Sequence, residues 1–576
     1  MNFEAWSTFL VPLVGALFVP LVGRVRERFC SWYAIVVCGV AAALCLQQAL
    51  TFTAPSVVTL GGWSLFSGVQ AEVYVDGLSV IMALFVSALS FVILVYSAGI
   101  MSKEGGQGRF YSLMLVFIGS MLGLVMAGNL VQFYLLWELL GICSALLIAF
   151  WWDREPARKA GLKAFLFTRV GDVALLIAVV LLLSTLHTTD INSVLSSAAS
   201  QGGVNKTLVG LLLLVGAMGK SAQVPLHAWL PDAMEGPTPV SALIHAATMV
   251  NAGVFLLVRM APLYGASSQL SDSVLAVGLV SMIVGGACAS AATDIKRVLA
   301  YSTISQLGLM FAAIGVGAIA AAVYQLMAQG VVKALAFMSA GSAAEATGTR
   351  DIRQMSGLRG AMKLTYIGFL ASALAMAGFP PFFGFWTKEL ISTAAQSAST
   401  WVFPVVLLGS FLTTFCMFRV IFRVFHGPVN RPGLQESGGL MVGPMLVLSV
   451  VALVGWVAVT YQPVYSPALG IGIDPPTALI STAVALAGAL GCYYAFIMGR
   501  ERVLTSVNGS GFVHGLVVGL SAGLWFDAFY SALYTRVFVP LSRLASRLQT
   551  GDLGDNLALL VAALVAAFLL VVLVVQ

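Results

Sequence analysis

"LLLLVGAMGKSAQVPLHAWLPDA" spans residues 211–233. Four leucines and a valine lead toward Gly219 and Lys220, and Pro225 follows five residues later. The leading run suits a helix in a bilayer, whose hydrocarbon core is about 30 Å thick. It nevertheless carries an ammonium group and then a residue that interrupts helices. Insertion scales place the cost of a lysine at a helix centre near 2.5–3.5 kcal/mol, so such a group faces protein or water and not lipid. The stretch therefore predicts one member of a helix bundle with a polar interior.

Composition extends that reading to the whole chain. Of 576 residues, 60% are hydrophobic and 9% are charged, against roughly 25% charged in soluble domains. Apolar runs of about 20 residues recur throughout, as spanning helices require. They are too long and too uniformly apolar for barrel strands. The chain reads as an all-α polytopic protein of a bacterial or archaeal cytoplasmic membrane. The net charge of +6 lies in short loops and argues for no nucleic-acid partner. Seven cysteines stand singly, at 30, 38, 45, 143, 288, 416 and 492. With no C-x-x-C pair, neither an iron–sulfur cluster nor a zinc site is indicated, and no metal or cofactor is expected. The opening "MNFEAWSTFLVPLVGALFVPLVGRVRER" lacks a charged n-region and a clear cleavage site, and reads as a retained first helix.

Apolar runs between polar breaks predict about sixteen spans. The seventh (206–230) and twelfth (363–397) contain prolines, Pro225 and the pair Pro380 and Pro381. Basic residues fall in alternate loops: Arg24, Arg26 and Arg28; Lys103 and Arg109; Arg154, Arg158 and Lys159; Lys296 and Arg297; Arg350, Arg353 and Arg359; Arg423 and Arg431; Arg500 and Arg502. By the positive-inside rule these loops face the cytoplasm and both termini face outward. The expected divisions are helices 1–3 in residues 1–110, a five-helix block in 111–262, a second in 271–425, and further spans in 439–525. Residues 526–555 mix aromatic and aliphatic residues with Arg536, Arg543 and Arg547, and predict a short amphipathic helix on the membrane surface. A last span follows at 556–576.

Several ionisable residues fall mid-span: Glu138, the i,i+3 pair Arg169 and Asp172, Lys220, His245, Lys333, and Lys388 with Glu389. Intramembrane charges default to a functional path. The plainer reading, structural ion pairs and snorkelling side chains, suits Lys163 and Lys363 near helix ends. Pro225 lies beside Lys220 and Pro380–Pro381 beside Lys388. Prolines free backbone carbonyls, which deep in a membrane need protein or water partners. Interrupted helices in matching positions of two halves mark transport sites in inverted-repeat folds. Here they close two blocks of five helices. Five is odd, so the second block is expected inverted.

These residues carry a resemblance. "GKSAQVPLHAWLPDAMEGPTPVSALIHAATMVNAGVFLLVR" (219–259), "TDIKRVLAYSTISQLGLM" (293–310), "NLVQFYLLWELLG" (129–141) and "GFWTKE" (384–389) resemble the antiporter-like membrane subunits of respiratory complex I and of Mrp-type Na+/H+ antiporters. Within these, the chain is most similar to the distal complex I subunit, called subunit L in bacteria and chain 5 in mitochondria. The resemblance covers about residues 60 to 430. It implies two inverted five-helix repeats and a polar chain along the membrane midplane. On the matching positions, Glu138 is the helix-5 glutamate, Lys220 the helix-7 lysine, His245 the helix-8 histidine, Lys333 the connecting lysine and Lys388 the helix-12 lysine. Arg169 and Asp172 are the pair modulating the Glu–Lys couple. Movement of Glu138 relative to Lys220 would then switch the hold of Lys220 on its proton.

Two departures stand out. Gln325 and Gln329 occupy positions where the family usually carries histidines, and glutamine cannot titrate. The segment resembling the family's lateral helix, "WFDAFYSALYTRVFVPL" (525–541), leads into a helix of about 30 residues and roughly 45 Å, shorter than usual. Glycine-rich "GSGFVHG" (509–515) follows no strand and reads as helix packing, not a nucleotide loop.

The leading expectation is a proton-translocating subunit of a complex I-like NADH/quinone oxidoreductase or related redox-driven complex, with redox chemistry left to other membrane subunits. A cation/proton antiporter subunit of Mrp type, a membrane subunit of an inorganic-carbon uptake complex, and a structural subunit are the alternatives. Protons and Na+ are not distinguished, because both use carboxylates and water.

Overall fold

The computed structural model describes residues 2–66, 69–199, 205–428, 433–457, 472–498 and 511–546. The chain divides into two units, Met1–Val517 and Val518–Gln576. The first is built largely of helices: α1 (Asn2–Val25), α2 (Phe29–Thr51), α3 (Gly77–Ile100), α4 (Gln107–Val125), α5 (Leu130–Ile148), α6 (Glu155–Leu186), α7 (Ile191–Ala199), α8 (Lys206–Lys220), α9 (Trp229–Asp232), α10 (Thr238–Ala246), α11 (Met249–Arg259), α12 (Ala261–Gly265), α13 (Ser268–Ala291), α14 (Ile295–Gly315), α15 (Ile319–Thr347), α16 (Leu358–Ala361), α17 (Lys363–Ala377), α18 (Phe383–Ala398), α19 (Val402–Val420), α20 (Gly439–Val454), α21 (Pro475–Tyr493) and the start of α22 (Gly511–Ser521). Single π-turns extend α19 to Phe425 and α21 to Met498.

Among the described residues, twelve helices are long and apolar enough to cross a membrane. Four of the sixteen expected spans are missing from that set. Residues 206–230 stop being one helix at Lys220, 363–397 divides into α17 and α18, and 439–461 yields the 16-residue α20. The fourth, 556–576, lies outside the described residues. At the first two sites prolines lie in the turn that follows the break, Pro225 after α8 and Pro380–Pro381 after α17, where a missing N–H keeps the helix from resuming unbroken.

The all-α expectation needs one correction. Strands β1 (Ser56–Phe66) and β2 (Val69–Val75) pair antiparallel, with Ser56 opposite Val75 and Val58 opposite Val73. "SVVTL" and "VQAEVYV" are rich in β-branched residues, a short signal beside the long apolar runs that flank them. The hairpin is tied into the bundle. Asp76 caps α3 through Ser79 N–H at 2.8 Å, and Arg259 at the end of α11 donates to both Asp76 oxygens, at 2.5 and 3.1 Å. Asn129 Nδ2 donates to Gln70 O at 2.8 Å.

The polarity gradient is that of a membrane bundle. Every residue of α10 and of α11 is buried, and α14 and α15 nearly so, while α1, α2 and α21 leave apolar side chains on the outside. The enclosed spans α14 and α15 are also the least apolar of the twelve, because ionisable groups are tolerated only away from lipid. Packing there is close. Gly278 of α13 and Gly308 of α14 face each other's helix so tightly that a Cβ on either would meet backbone, the small-residue contact that lets membrane helices approach.

In the second unit, α23 (Phe526–Leu533), a π-turn and α24 (Val539–Ser546) run on from one another over 526–546. This is the described part of the expected amphipathic segment; 547–555 lies outside the described residues.

Candidate functional site

The end of α8 places Lys220. Beyond it, residues 221–228 form a turn, and several of their polar groups bond within the protein. Ser221 Oγ donates to Val250 O at 2.6 Å, Gln223 Nε2 to Ser221 O at 2.9 Å, and Val224 N–H to Ser281 Oγ at 2.9 Å. Trp229 Nε1 reaches back to Gly219 O at 3.1 Å. Pro225 lies in this turn, and the Val224–Pro225 bond is cis. Pro380 and Pro381 lie between α17 and α18, also joined by a cis bond.

Lys220 is fully buried, and its ammonium faces Asp172, also buried, at 3.3 Å. Trp137 of α5 donates its indole N–H to Asp172 at 2.6 Å, and its ring lies 5.6 Å from the ammonium. Arg169, one helical turn before Asp172, pairs with Glu138 and stands 3.7 Å from Asp172. The sequence had coupled Glu138 to Lys220. In the structure the carboxylate paired with Lys220 is that of Asp172, and Glu138 is paired with Arg169. The four charges form one linked row, Glu138–Arg169–Asp172–Lys220.

Further along, His245 is buried on α10, its Nδ1 3.0 Å from Thr303 Oγ1 of α14 and its ring stacked on Phe337 at 4.5 Å. Lys333 donates to Ser302 Oγ at 2.5 Å and to Leu299 O at 3.0 Å, both on α14. Gln325 donates to Gln306 Oε1 at 2.9 Å and accepts from Thr387 Oγ1 at 2.5 Å. Gln329 is buried with its amide nitrogen unpaired among the described residues. Lys388 and Glu389 are both buried on α18, and Lys388 Nζ has no hydrogen-bond partner among the described residues.

Several buried polar residues escaped the sequence reading. His227 is fully buried in the turn after Lys220, with Nδ1 3.2 Å from Pro225 O. Thr248 and Asn251 donate to Leu243 O and Ala246 O across the break between α10 and α11, at 2.8 and 2.7 Å. Arg419 binds carbonyls of Ala289 and Ala292. His227 and Arg419 had a visible signal, a basic residue in apolar surroundings; the others are neutral residues common in any helix. At the ends of these helices, Asp232 pairs with Lys163 at 2.6 Å and Arg297 at 3.0 Å, and Arg350 with Glu235 and Asp294. Lys163 is thus the structural ion pair the plainer reading allowed. Among the described residues no group of three or more metal-ligating side chains clusters.

Residues 127–414 match the profile of the family described as NADH:quinone oxidoreductase/Mrp antiporter, transmembrane. The chain is 38% identical over 465 residues to NAD(P)H-quinone oxidoreductase chain 5 of Synechocystis sp., covering 76% of this chain and 68% of that protein. The chain belongs to this family. Residues 63–111 also match the N-terminal region of complex I chain 5. NADH-quinone oxidoreductase subunit L of Mycobacterium tuberculosis is 38% identical over 470 residues, covering 77% of this chain and 73% of that one. Subunit L of Rickettsia bellii is 42% identical over 369 residues, with 62% and 58% covered. Among solved structures, the Mrp complex of Dietzia sp. superposes over 99% of this chain and 63% of that chain, with TM-score 0.79 and 26% identity. A membrane-bound sulfane sulfur reductase, an archaeal respiratory complex, shares the fold at TM-score 0.71 and 22% identity, over 86% of this chain and 99% of that chain.

Proposed function

We propose that this chain is a proton-translocating, antiporter-like subunit of a complex I-like NADH/quinone oxidoreductase or related redox-driven membrane complex. The observation that carries the reading is the run of buried ionisable and amide side chains from the Asp172–Lys220 pair through His245 and Lys333 to Lys388. The relatives, named as quinone oxidoreductase subunits, support it.

The linked row at Lys220 suggests the switch. A carboxylate beside an ammonium strengthens its hold on the proton, and withdrawal of that charge weakens it. Arg169 touches Glu138 and stands near Asp172. Were Arg169 to leave Glu138 for Asp172, the field of Asp172 on Lys220 would be neutralised and Lys220 would release its proton toward His245. Glu138 then governs Lys220 through Arg169 and Asp172. Water and His245 carry the proton to Lys333 and on to Lys388, which exchanges with the outer side beside Pro380–Pro381. Gln325 and Gln329 cannot titrate, so water carries that stretch. The reading includes inverted blocks in 111–262 and 271–425, interrupted helices at Lys220 and Lys388, cytoplasmic basic loops and a lateral amphipathic helix from 526.

A cation/proton antiporter subunit is the second reading, favoured by the likeness to the Mrp complex over nearly the whole chain. Affinity purification in mild detergent separates the two. Co-purifying quinone-site and iron–sulfur subunits are the expected result. A set of small antiporter subunits, or a single zinc-containing soluble partner as in inorganic-carbon uptake, would contradict it.

A further inference from the structure

Four buried side chains on four helices hold one another in file beside Lys388. Thr387 Oγ1 of α18 donates to Gln325 Oε1 of α15 at 2.5 Å, and lies 3.3 Å from Gly384 O. Gln325 Nε2 donates to Gln306 Oε1 of α14 at 2.9 Å. Gln306 Nε2 donates to Thr413 Oγ1 of α19 at 3.1 Å, and Thr413 closes the file on Gly409 O at 2.9 Å. None of the four is more than 2% exposed. Two amides and two hydroxyls do not ionise near neutral pH, so the file carries no charge of its own. Its members would each leave an unsatisfied buried group if the next were removed, so the file acts as a unit.

What it holds is the start of α18. That helix begins at Phe383, directly after the turn containing Pro380 and Pro381, and Thr387 is the residue before Lys388. Lys388 is 4% exposed, and its ammonium makes no hydrogen bond among the described residues. No hydrogen bond among the described residues fixes that ammonium, so its place depends on the helix that carries it. The file ties that helix to α14, within "YSTISQ" (301–306). The same turn of α14 supplies Ser302 to Lys333 and Thr303 to His245. One helix is thus the common reference for three buried basic groups, and its hydrogen-bonded link to the third runs through Gln306, Gln325 and Thr387.

We propose that Thr387 is a positioning residue for Lys388: its hydroxyl, held through Gln325 and Gln306, fixes the first turns of α18 against α14 and keeps Lys388 aligned with Lys333. The inference rests on the reading of Lys388 as a proton carrier.

Thr387→Val keeps the shape and removes the hydroxyl, while Thr387→Ser keeps the hydroxyl. Both are compared with Lys388→Ala in the intact complex, in inverted membrane vesicles, at matched complex content and matched NADH oxidation. Misplacement of a reacting group by an ångström costs up to about 100-fold. Thr387→Val is expected to lower protons moved per NADH by at least about fivefold, with Thr387→Ser within about twofold of wild type. Gln306→Met, which cuts α14 out of the file and leaves Thr387 tied to Gln325 alone, is expected to match Thr387→Val and serves if that variant fails to accumulate. Wild-type pumping by Thr387→Val or Gln306→Met beside an inactive Lys388→Ala overturns the positioning role alone. Equal loss in Thr387→Val and Thr387→Ser does the same, since the hydroxyl would then be immaterial. Wild-type pumping by Lys388→Ala overturns the reading of Lys388 and this inference with it.

Discussion

At Lys220 the backbone of a neighbouring helix is part of the site. Gly141 of α5 faces the ammonium so closely that an added Cβ would fall on it. The displaced atom would be the tip of a flexible side chain, so Gly141→Ala should displace Lys220 from Asp172 while the helices keep their places. Proton translocation is expected to fall by about tenfold at unchanged complex content, read by dye quenching in inverted vesicles. Gly491→Ala, where a Cβ meets nothing, is the control and should pump normally. Lys220, Lys333 and Lys388 were legible in the sequence because a charge in an apolar run has few explanations. Their partners were not. The choice of Asp172 over Glu138 depends on helix rotation, and Thr303, Ser302, Gln306 and Thr387 are too common in helices to announce themselves.

At the scale of elements, the breaks are held by side chains that replace lost backbone bonds. Asn251, in the first turn of α11, reaches back across the break from α10 and donates to Ala246 O in fully buried surroundings. Asn251→Leu leaves that carbonyl unmet and should destabilise the chain by about 1–3 kcal/mol, visible as a lowered thermal midpoint of the purified complex. The β1–β2 hairpin is fastened by Asp76. Burial opposes ionisation of Asp76, but Arg259 and the Ser79 hydrogen bonds outweigh it and hold the carboxyl below its usual range. The stabilisation is therefore full above the unfolded value of about 4 and is lost as pH falls through the depressed folded value. Asp76→Asn should lower the thermal midpoint at pH 7, and the gap from wild type should narrow below about pH 4. A gap that stays constant with pH would mean the charge is not the stabilising feature. Long apolar helices were readable from the sequence; the hairpin was not, since short amphipathic strands give a weak signal beside 20-residue runs.

On the scale of the whole molecule, polarity runs from an ionisable interior to an apolar outside. The exposed flank of α6, with Leu162, Leu166, Val170, Val173, Ile177 and Val180, suits lipid or another membrane subunit. Glu138 and Arg169 lie close to that flank and are only partly enclosed, at 15% and 26% side-chain exposure. The row therefore has an accessible end, Glu138 and Arg169, and an enclosed end at Lys220. Fold class and the positions of the buried charges could be read from the sequence, because bilayer thickness and charge burial are strict constraints. How the row is wired could not, because it is set by side-chain contacts between helices.

Under the proposed function, Lys220 carries the translocated proton. NADH-driven proton uptake by inverted vesicles containing the intact complex tests it most directly, in wild type and Lys220→Ala at equal complex content. Lys220→Ala is expected to assemble and to lose most proton uptake. Proton uptake at the wild-type rate by fully assembled Lys220→Ala would contradict it.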